Sequence, residues 1–200
     1  MRRDRREEKR DRILQAAERV FTLYGYKKAT MEEIAREAGI SKGAIYLLFR
    51  SKEELFRTLV RRNIRRVWES IEKAAESQSD PREKIRAAMI AKLNYTQRLI
   101  AGKEITERHF EEARQFIEDE LKWLESKEAG LLERILTEGQ KQKIFVRFPD
   151  VKLVAYALVR AMRELEVPWV FARRRMSTKR KVELLTNLLF KGIEVRSRSD

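Results

Sequence analysis

Apolar residues recur every three or four positions through most of the chain, which is the spacing of an amphipathic helix. No run shows the strict alternation of a half-buried strand. Only three prolines and seven glycines interrupt the 200 residues, so long helices are allowed almost everywhere. The pattern predicts an all-α protein of about nine helices, the first running from about Glu7 to Tyr24.

Capping signals then place two short helices. Thr30 and Glu33 have the spacing of a capping box, in which each side chain satisfies the other residue's free backbone N–H. Gly39 marks a tight turn, and Ser41 caps a third helix that we expect at Lys42–Phe49. Two short helices joined by such a turn describe a helix-turn-helix, whose second helix enters the major groove of DNA.

The fourth helix is predicted to be long. Its apolar pairs hold the helical period from Leu55 to about Ala75, and a helix of this length exceeds the needs of a three-helix module. Asp80 and Pro81 are a start signal for a fifth helix. Four further periodic segments follow, at about 105–124, 131–139, 151–169 and 182–193. The sequence therefore predicts a second helical region behind the helix-turn-helix.

Charge and composition narrow the function. Lys and Arg number 46 against 32 Asp and Glu, and a net charge of +14 points to a polyanionic partner, nucleic acid first. No cysteine and a single histidine exclude thiol chemistry and a multi-histidine metal site, so we expect no enzyme, no metal and no cofactor. No apolar stretch approaches 18 residues, so we expect a cytoplasmic protein without a membrane partner.

The run from Ala29 to Leu55 resembles the DNA-binding domain of TetR/AcrR-type transcriptional regulators. The specific segments are Gly39-Ile40-Ser41-Lys42-Gly43-Ala44-Ile45-Tyr46, then Phe49, Ser51-Lys52-Glu53-Glu54-Leu55, and Ala16-Ala17, Phe21 and Gly25-Tyr26 in helix one. The resemblance implies a ligand-responsive regulator, expected to be a repressor, that binds a palindromic operator in double-stranded DNA as a homodimer. It implies a DNA-binding domain at 1–52, a connecting helix at about 52–76, and a ligand-binding and dimerisation domain at 53–200.

The resemblance also implies DNA contacts for the turn and the recognition helix. Thr30 and Lys52 would contact phosphates, and Tyr46 would hydrogen-bond the backbone. Leu47 stands where the family often has an aromatic or histidine residue, so it either touches thymine methyl groups or packs. The full set of expected DNA contacts is Thr30, Ser41, Lys42, Gly43, Ala44, Tyr46, Leu47 and Lys52.

The basic ends of the chain leave alternatives open. The N-terminal arm, with basic residues from Arg2 to Arg10, either follows phosphates or the minor groove, or is a disordered solubilising tail. The cluster at Arg173–Lys181 is either a solvated loop or a contact for an anionic ligand or partner.

For the second region the resemblance implies an effector pocket and a dimer interface. Candidate effector contacts are Tyr95, Leu99, His109, Phe110, Phe116, Trp123, Tyr156, Arg160, Arg163 and Trp169, although an aromatic stripe at helical spacing also fits a plain core. Candidate dimer residues are Leu158, Met162, Leu185, Leu188, Leu189 and Gly192. The near-neutral middle of the chain favours an amphipathic anion such as a fatty acyl thioester. An aromatic cation, or an architectural DNA-binding protein without effector, is the alternative.

Overall fold

The computed structural model describes the backbone of residues 2–100, 107–171 and 177–193, and the side chains of 5–99, 116–164 and 177–193. The described part of the chain holds eight helices and no strand, which confirms the all-α prediction. The helices are α1 Arg2–Lys28, α2 Met31–Glu37, α3 Lys42–Tyr46, α4 Lys52–Glu76, α5 Pro81–Ile100, α6 Glu107–Lys141, α7 Val151–Phe171 and α8 Thr178–Ile193. None of these described helices has the length and apolar character needed to cross a membrane.

The number of helices differs from the predicted nine because two predicted segments form one helix. The break expected between Leu124 and Leu131 does not exist, and α6 runs without interruption through Gly130. A glycine inside a helix costs about 1 kcal/mol relative to alanine but does not end it. Buried Leu124, Leu131 and Ile135 keep one helical face across the glycine, so packing holds the helix together.

The chain divides into two compact units. The first comprises Met1–Ile64 and Ile100–Glu120, and the second comprises Arg65–Leu99 and Leu121–Asp200. The first unit therefore combines α1, α2, α3 and the start of α4 with the start of α6. Among its described residues, the large apolar side chains without solvent exposure are Ile13, Ile34, Ile45, Phe49 and Leu55.

An aromatic cluster joins α6 to the rest of the first unit. The ring of Phe116 lies 4.5 Å from that of Tyr26 and 6.4 Å from that of Phe56, measured between centroids. One helical turn further on, the guanidinium of Arg61 donates to the buried carboxylate of Glu120 at 2.9 Å. Phe116, predicted as an effector contact, is thus half-buried in an aromatic cluster of the first unit.

The second unit is built on α5, α6, α7 and α8 with the end of α4. Asp80 accepts a hydrogen bond from the backbone N–H of Arg82 at 2.7 Å, which confirms it as the cap of α5. The segment after α6 returns to the core, where buried Phe145 lies 6.0 Å from the ring of Phe190. The backbone N–H of Val146 donates to the carbonyl of Ile193 at 2.7 Å and fixes the end of α8.

Candidate functional site

The predicted helix-turn-helix is present, and its caps form as the sequence indicates. The backbone N–H of Glu33 donates to the hydroxyl of Thr30 at 3.2 Å, and the N–H of Thr30 donates to the Glu33 carboxylate at 2.9 Å. Gly39 has φ +65°, a conformation that a side chain disfavours, and so permits the tight turn after α2. Ser41 accepts from the N–H of Ala44 at 3.2 Å and starts α3.

The recognition helix is shorter than predicted. It ends at Tyr46 rather than near Phe49, although the Phe49 N–H still donates to the carbonyl of Ile45 at 2.9 Å. Ile45 and Phe49 have no solvent exposure, because both side chains turn into the core of the first unit. This anchoring fixes which face of α3 points outward.

The outward face of α3 carries Lys42, Gly43, Tyr46 and Leu47. Leu47 is 81% exposed. The sequence left open whether this side chain contacts thymine methyl groups or packs, and within the described chain it does not pack. Space around Gly43 is open, because a Cβ built there would meet nothing within 4 Å. This face is free to approach another molecule closely.

Lys42 is paired with Glu32 of α2. Their hydrogen bond lowers the pKa of the Glu32 carboxyl below its ordinary value and raises the pKa of the Lys42 ammonium. Both groups are exposed to solvent, so the pair is screened and easily exchanged. A phosphate approaching α3 would compete with Glu32 for this ammonium.

The structure gives Lys52 partners other than the predicted phosphate. Its ammonium donates to the backbone carbonyls of Tyr26 at 2.8 Å, Ala29 at 2.9 Å and Lys27 at 3.2 Å, and lies 4.6 Å above the centre of the Tyr26 ring. An ammonium has three N–H donors, so these carbonyls occupy them all. Lys52 fastens the start of α4 to the end of α1.

Arg10, a residue of the predicted N-terminal arm, packs against the core of the first unit. Its guanidinium lies 4.4 Å above the Phe49 ring and donates to the carbonyl of Leu48 at 3.3 Å. The helix α1 already begins at Arg2, so the described arm is helical rather than an extended tail. The spacing in the sequence could have predicted this inward position, because Arg10 precedes buried Ile13 by three residues and so lies on the same helical face.

A narrow apolar cavity of about 50 Å³ lies inside the second unit. Its lining comes from α4, α5, α6 and α7 and consists of Ile71, Ile85, Ala88, Met89, Lys92, Glu128, Leu131, Leu132, Ile135, Val159 and Met162. The ammonium of Lys92 lies 2.7 Å from the carboxylate of Glu128, and their side chains are only 16% and 12% exposed. The cavity is thus aliphatic with one largely buried ion pair.

The predicted effector contacts whose side chains the structure describes do not line this cavity. Trp123 lies between Arg65 and Lys127, whose charged groups are each 5.7 Å from its rings, and Tyr95 lies 5.7 Å from the guanidinium of Arg98. Leu99 is half-buried elsewhere on α5. The side chains of His109, Phe110 and Trp169 lie outside the described residues, and so do Arg173, Arg174 and Arg175 of the basic cluster.

The sequence contains a pattern that could have predicted this cavity, namely a charged residue on the apolar face of each of two helices. Lys92 follows Ile85 and Met89 by seven and three residues, and Glu128 precedes Leu131 and Ile135 by the same two intervals. Such spacing puts each charged side chain on the buried stripe of its helix. The predicted effector contacts were mostly aromatic residues and included neither Lys92 nor Glu128.

Arg160 and Arg163 of α7 converge on the buried carboxylate of Glu125. Arg163 donates at 2.8 Å and Arg160 at 3.1 Å. Burial by itself would raise the pKa of Glu125, but the hydrogen bonds from Arg160 and Tyr156 outweigh it and hold the pKa below its ordinary value. Both arginines therefore form ion pairs with a buried carboxylate of the same unit.

The predicted dimer residues divide into two groups. Leu188 is 70% exposed and Gly192 is exposed, while Leu158, Leu185 and Leu189 are half-buried. Met162 instead lines the cavity. Leu153 and Leu184 are also exposed on α7 and α8 but were not predicted as dimer residues, and Tyr156, predicted as an effector contact, is exposed on α7. In the part of the chain that the structure describes, no cluster of acidic or histidine side chains could hold a metal ion.

Comparison with known proteins identifies the first unit. The family model of bacterial regulatory proteins of the tetR family matches residues 13–59, which contain the whole helix-turn-helix and the start of α4. Residues 13–59 therefore form the DNA-binding domain of a TetR-type transcriptional regulator. The transcriptional activator FasR of Mycolicibacterium smegmatis is 38% identical to this TetR-type chain over 86 residues, which are 43% of the chain but only 39% of the activator.

Solved structures extend the likeness over both units of the TetR-type chain. The fatty acid degradation regulator FadR from Bacillus halodurans matches with a TM-score of 0.69 and 25% identity, over 94% of this chain and 97% of that one. The regulator FadR from Bacillus subtilis, solved in complex with stearoyl-CoA, matches with a TM-score of 0.66 over 92% of this chain and 98% of that one. At 24% identity the second likeness shows the fold alone.

Proposed function

We propose that this TetR-type regulator represses transcription as a homodimer on a palindromic operator and is released by a fatty acyl thioester. One observation carries the effector part of the proposal, namely the aliphatic cavity with the Lys92–Glu128 pair in its wall. The name of the fatty acid degradation regulator FadR from Bacillus halodurans, whose structure matches at 25% identity, supports the same ligand class.

The cavity wall favours an alkyl chain over an aromatic cation. None of the described lining residues is aromatic, whereas sites for planar cations use ring faces. A thioester carbonyl is neutral, so it adds no charge beside the Lys92–Glu128 pair. A free fatty acid would bring a second negative charge beside Glu128, and this repulsion disfavours it.

Effector binding must enlarge the cavity. Pockets for small molecules typically measure about 300–1,000 Å³, far above the 50 Å³ of this one. Ile71 in the wall belongs to α4, the helix that begins at Lys52 beside the helix-turn-helix. We therefore expect an expanded cavity to displace α4 and change the separation of the two recognition helices in the dimer. A preference of a few kcal/mol for the displaced state suffices to empty the operator.

Exposed leucines on α7 and α8 support the dimer. Leu153, Leu184 and Leu188 are large apolar side chains with much of their surface in water, as expected for half of an interface. A single five-residue α3 contacts few base pairs, and a twofold partner about one DNA turn away, roughly 34 Å, supplies the second half-site.

The effector proposal is tested on a fluorescent duplex selected from a random library by the purified chain. Stearoyl-CoA is titrated into the complex, with CoA, stearate and tetraphenylphosphonium as comparators, and release is followed by anisotropy. We expect release by stearoyl-CoA alone. Release by the aromatic cation, or none by stearoyl-CoA, would contradict the effector class.

A pair of variants separates binding in the cavity from a detergent effect of the thioester. Ala88→Phe fills the cavity, whereas Ala91→Phe adds the same ring to a half-buried position of α5 outside the cavity lining. Both variants should bind the duplex, and only Ala91→Phe should respond to stearoyl-CoA. Equal release of both would show that the thioester acts elsewhere.

A further inference from the structure

Leu47 is the most exposed large apolar side chain among the described residues, and it lies on the outward face of the recognition helix. Its backbone N–H donates to the carbonyl of Gly43 at 3.3 Å, so the two residues are one turn apart on the same face. No side chain stands at Gly43 to shield it, and the inward positions of this segment are held by fully buried Ile45 and Phe49. The exposure of Leu47 is therefore fixed by the fold of the unit.

The neighbours of Leu47 on this face are polar. Tyr46 is half-exposed, and Lys42 is a solvated cation held by Glu32. These side chains can bind phosphates or base edges by hydrogen bonds, but a leucine side chain offers neither donor nor acceptor. Its contribution to a DNA complex has to come from the burial of apolar surface.

The major groove contains one apolar group with which such a side chain can pack. Each base pair presents hydrogen-bond donors and acceptors there, and only thymine adds a C5 methyl group. Against cytosine, guanine or adenine, Leu47 would cover polar edge atoms without replacing their hydrogen bonds to water, which is unfavourable. A thymine methyl turns the same contact into apolar burial.

We propose that Leu47 is a specificity-determining residue that selects a thymine in each half-site through contact with the C5 methyl group. The inference rests on the proposed function, since it presupposes operator binding by α3. It goes further by naming the base and the atom group that this chain recognises.

The test compares thymine with uracil, which differs only by the absence of that methyl group. In the duplex selected from a random library, each thymine is replaced singly by uracil, and the dissociation constants are measured for the natural chain and for Leu47→Ala. We expect one thymine per half-site at which uracil weakens binding by the natural chain about four-fold. The Leu47→Ala chain should not distinguish the two bases at that position.

Leu23→Ala serves as the matched control, because Leu23 is also an exposed leucine, at 61%, but lies on α1. This variant should keep the full discrimination between thymine and uracil. Circular dichroism should show all three chains equally helical, since neither leucine is in the core.

Several outcomes overturn the inference. An unchanged preference for thymine in Leu47→Ala would do so, as would a selected site in which no methyl group affects binding. In both cases sequence-specific binding itself remains, and only the role of Leu47 is lost. If no duplex is selected from the library, the proposed operator binding and this inference fail together.

Discussion

Single side chains connect segments that are distant in the sequence, and Lys52 is the clearest case. It begins α4, and its ammonium meets backbone carbonyls at the end of α1 and before α2. Helix ends leave such carbonyls without intrahelical partners, so this one side chain satisfies several at once. The identity of Lys52 was singled out from the sequence, but its partners depend on how α1 and α4 pack, which local patterns do not encode.

Replacing Lys52 should therefore affect stability. Lys52→Met keeps the length of the side chain and removes all three hydrogen bonds, and we expect it to lower the free energy of unfolding by about 2 kcal/mol. Urea denaturation followed by circular dichroism measures the change. Lys42→Met, at a solvated lysine, should leave the urea midpoint unchanged. Equal midpoints for the two variants would show that the carbonyl contacts of Lys52 contribute nothing.

Asp80 gives a pH-dependent prediction. The hydrogen bonds from the Arg82 side chain, together with backbone N–H donors at the start of α5, lower the pKa of its carboxyl from 3.8 to about 2. Because the folded-state pKa is the lower one, the ionised form stabilises the fold above pH 3.8, and this stabilisation is lost as the pH falls through about 2.

The Asp80→Asn variant isolates this contribution, because asparagine also caps helices but does not ionise. The Asp80 side chain is 35% exposed, so with solvent screening we expect an effect of about 1 kcal/mol. Between pH 5 and pH 2 the natural chain should lose that much more stability than the variant in urea denaturation. Parallel pH profiles would contradict the pKa shift.

At the scale of elements, local signals predicted where helices start better than where they end. The caps at Thr30, Ser41 and Asp80 form within a few residues of their own helices, so the sequence sufficed to find them. The continuity of α6 through Gly130 and the early end of α3 depend on burial against other helices. These features could not be predicted from residue type and spacing alone.

Replacing the two glycines of α6 by alanine should change the stability in opposite directions. A Cβ at Gly139 would collide with the buried ring of Phe145, whereas one at Gly130 would meet nothing within 4 Å. Gly139→Ala should destabilise the protein by about 1–3 kcal/mol through overpacking. Gly130→Ala should stabilise it by up to about 1 kcal/mol, because alanine favours the helix. Thermal unfolding of both variants measures the difference, and shifts of the same sign would contradict this packing.

For the whole molecule, the sequence predicted the class of protein and the DNA-binding element but not the cavity. The protein class and the DNA-binding element could be predicted from net charge, helical periodicity and the Gly39–Tyr46 segment. These are local or additive properties of the sequence. The cavity depends on residues from four helices and on one ion pair whose members are 36 positions apart. Arg160 and Arg163 have the chemistry of ligand contacts, and only the structure shows that Glu125 already binds them.

The proposed dimer can be tested by a substitution on α8. Leu188→Glu places a charge on the exposed apolar face of α8, and we expect it to convert a dimer to monomers and to weaken operator binding by at least about ten-fold, because one α3 then binds alone. Leu23→Glu makes the same change at an exposed leucine of α1 and should leave the dimer intact. Light scattering measures the mass of each variant, and a dimeric Leu188→Glu chain would place the interface elsewhere.

The most direct test of the account is the stoichiometry of the complex with DNA. The purified chain is sedimented with its selected duplex and with a scrambled duplex of equal length, in roughly 0.1 M salt, where electrostatic binding to any sequence is already weakened. We predict two chains on each selected palindrome and clear preference over the scrambled duplex. A chain that sediments as a monomer and binds both duplexes alike would contradict the assignment of α3 as a paired reader of DNA.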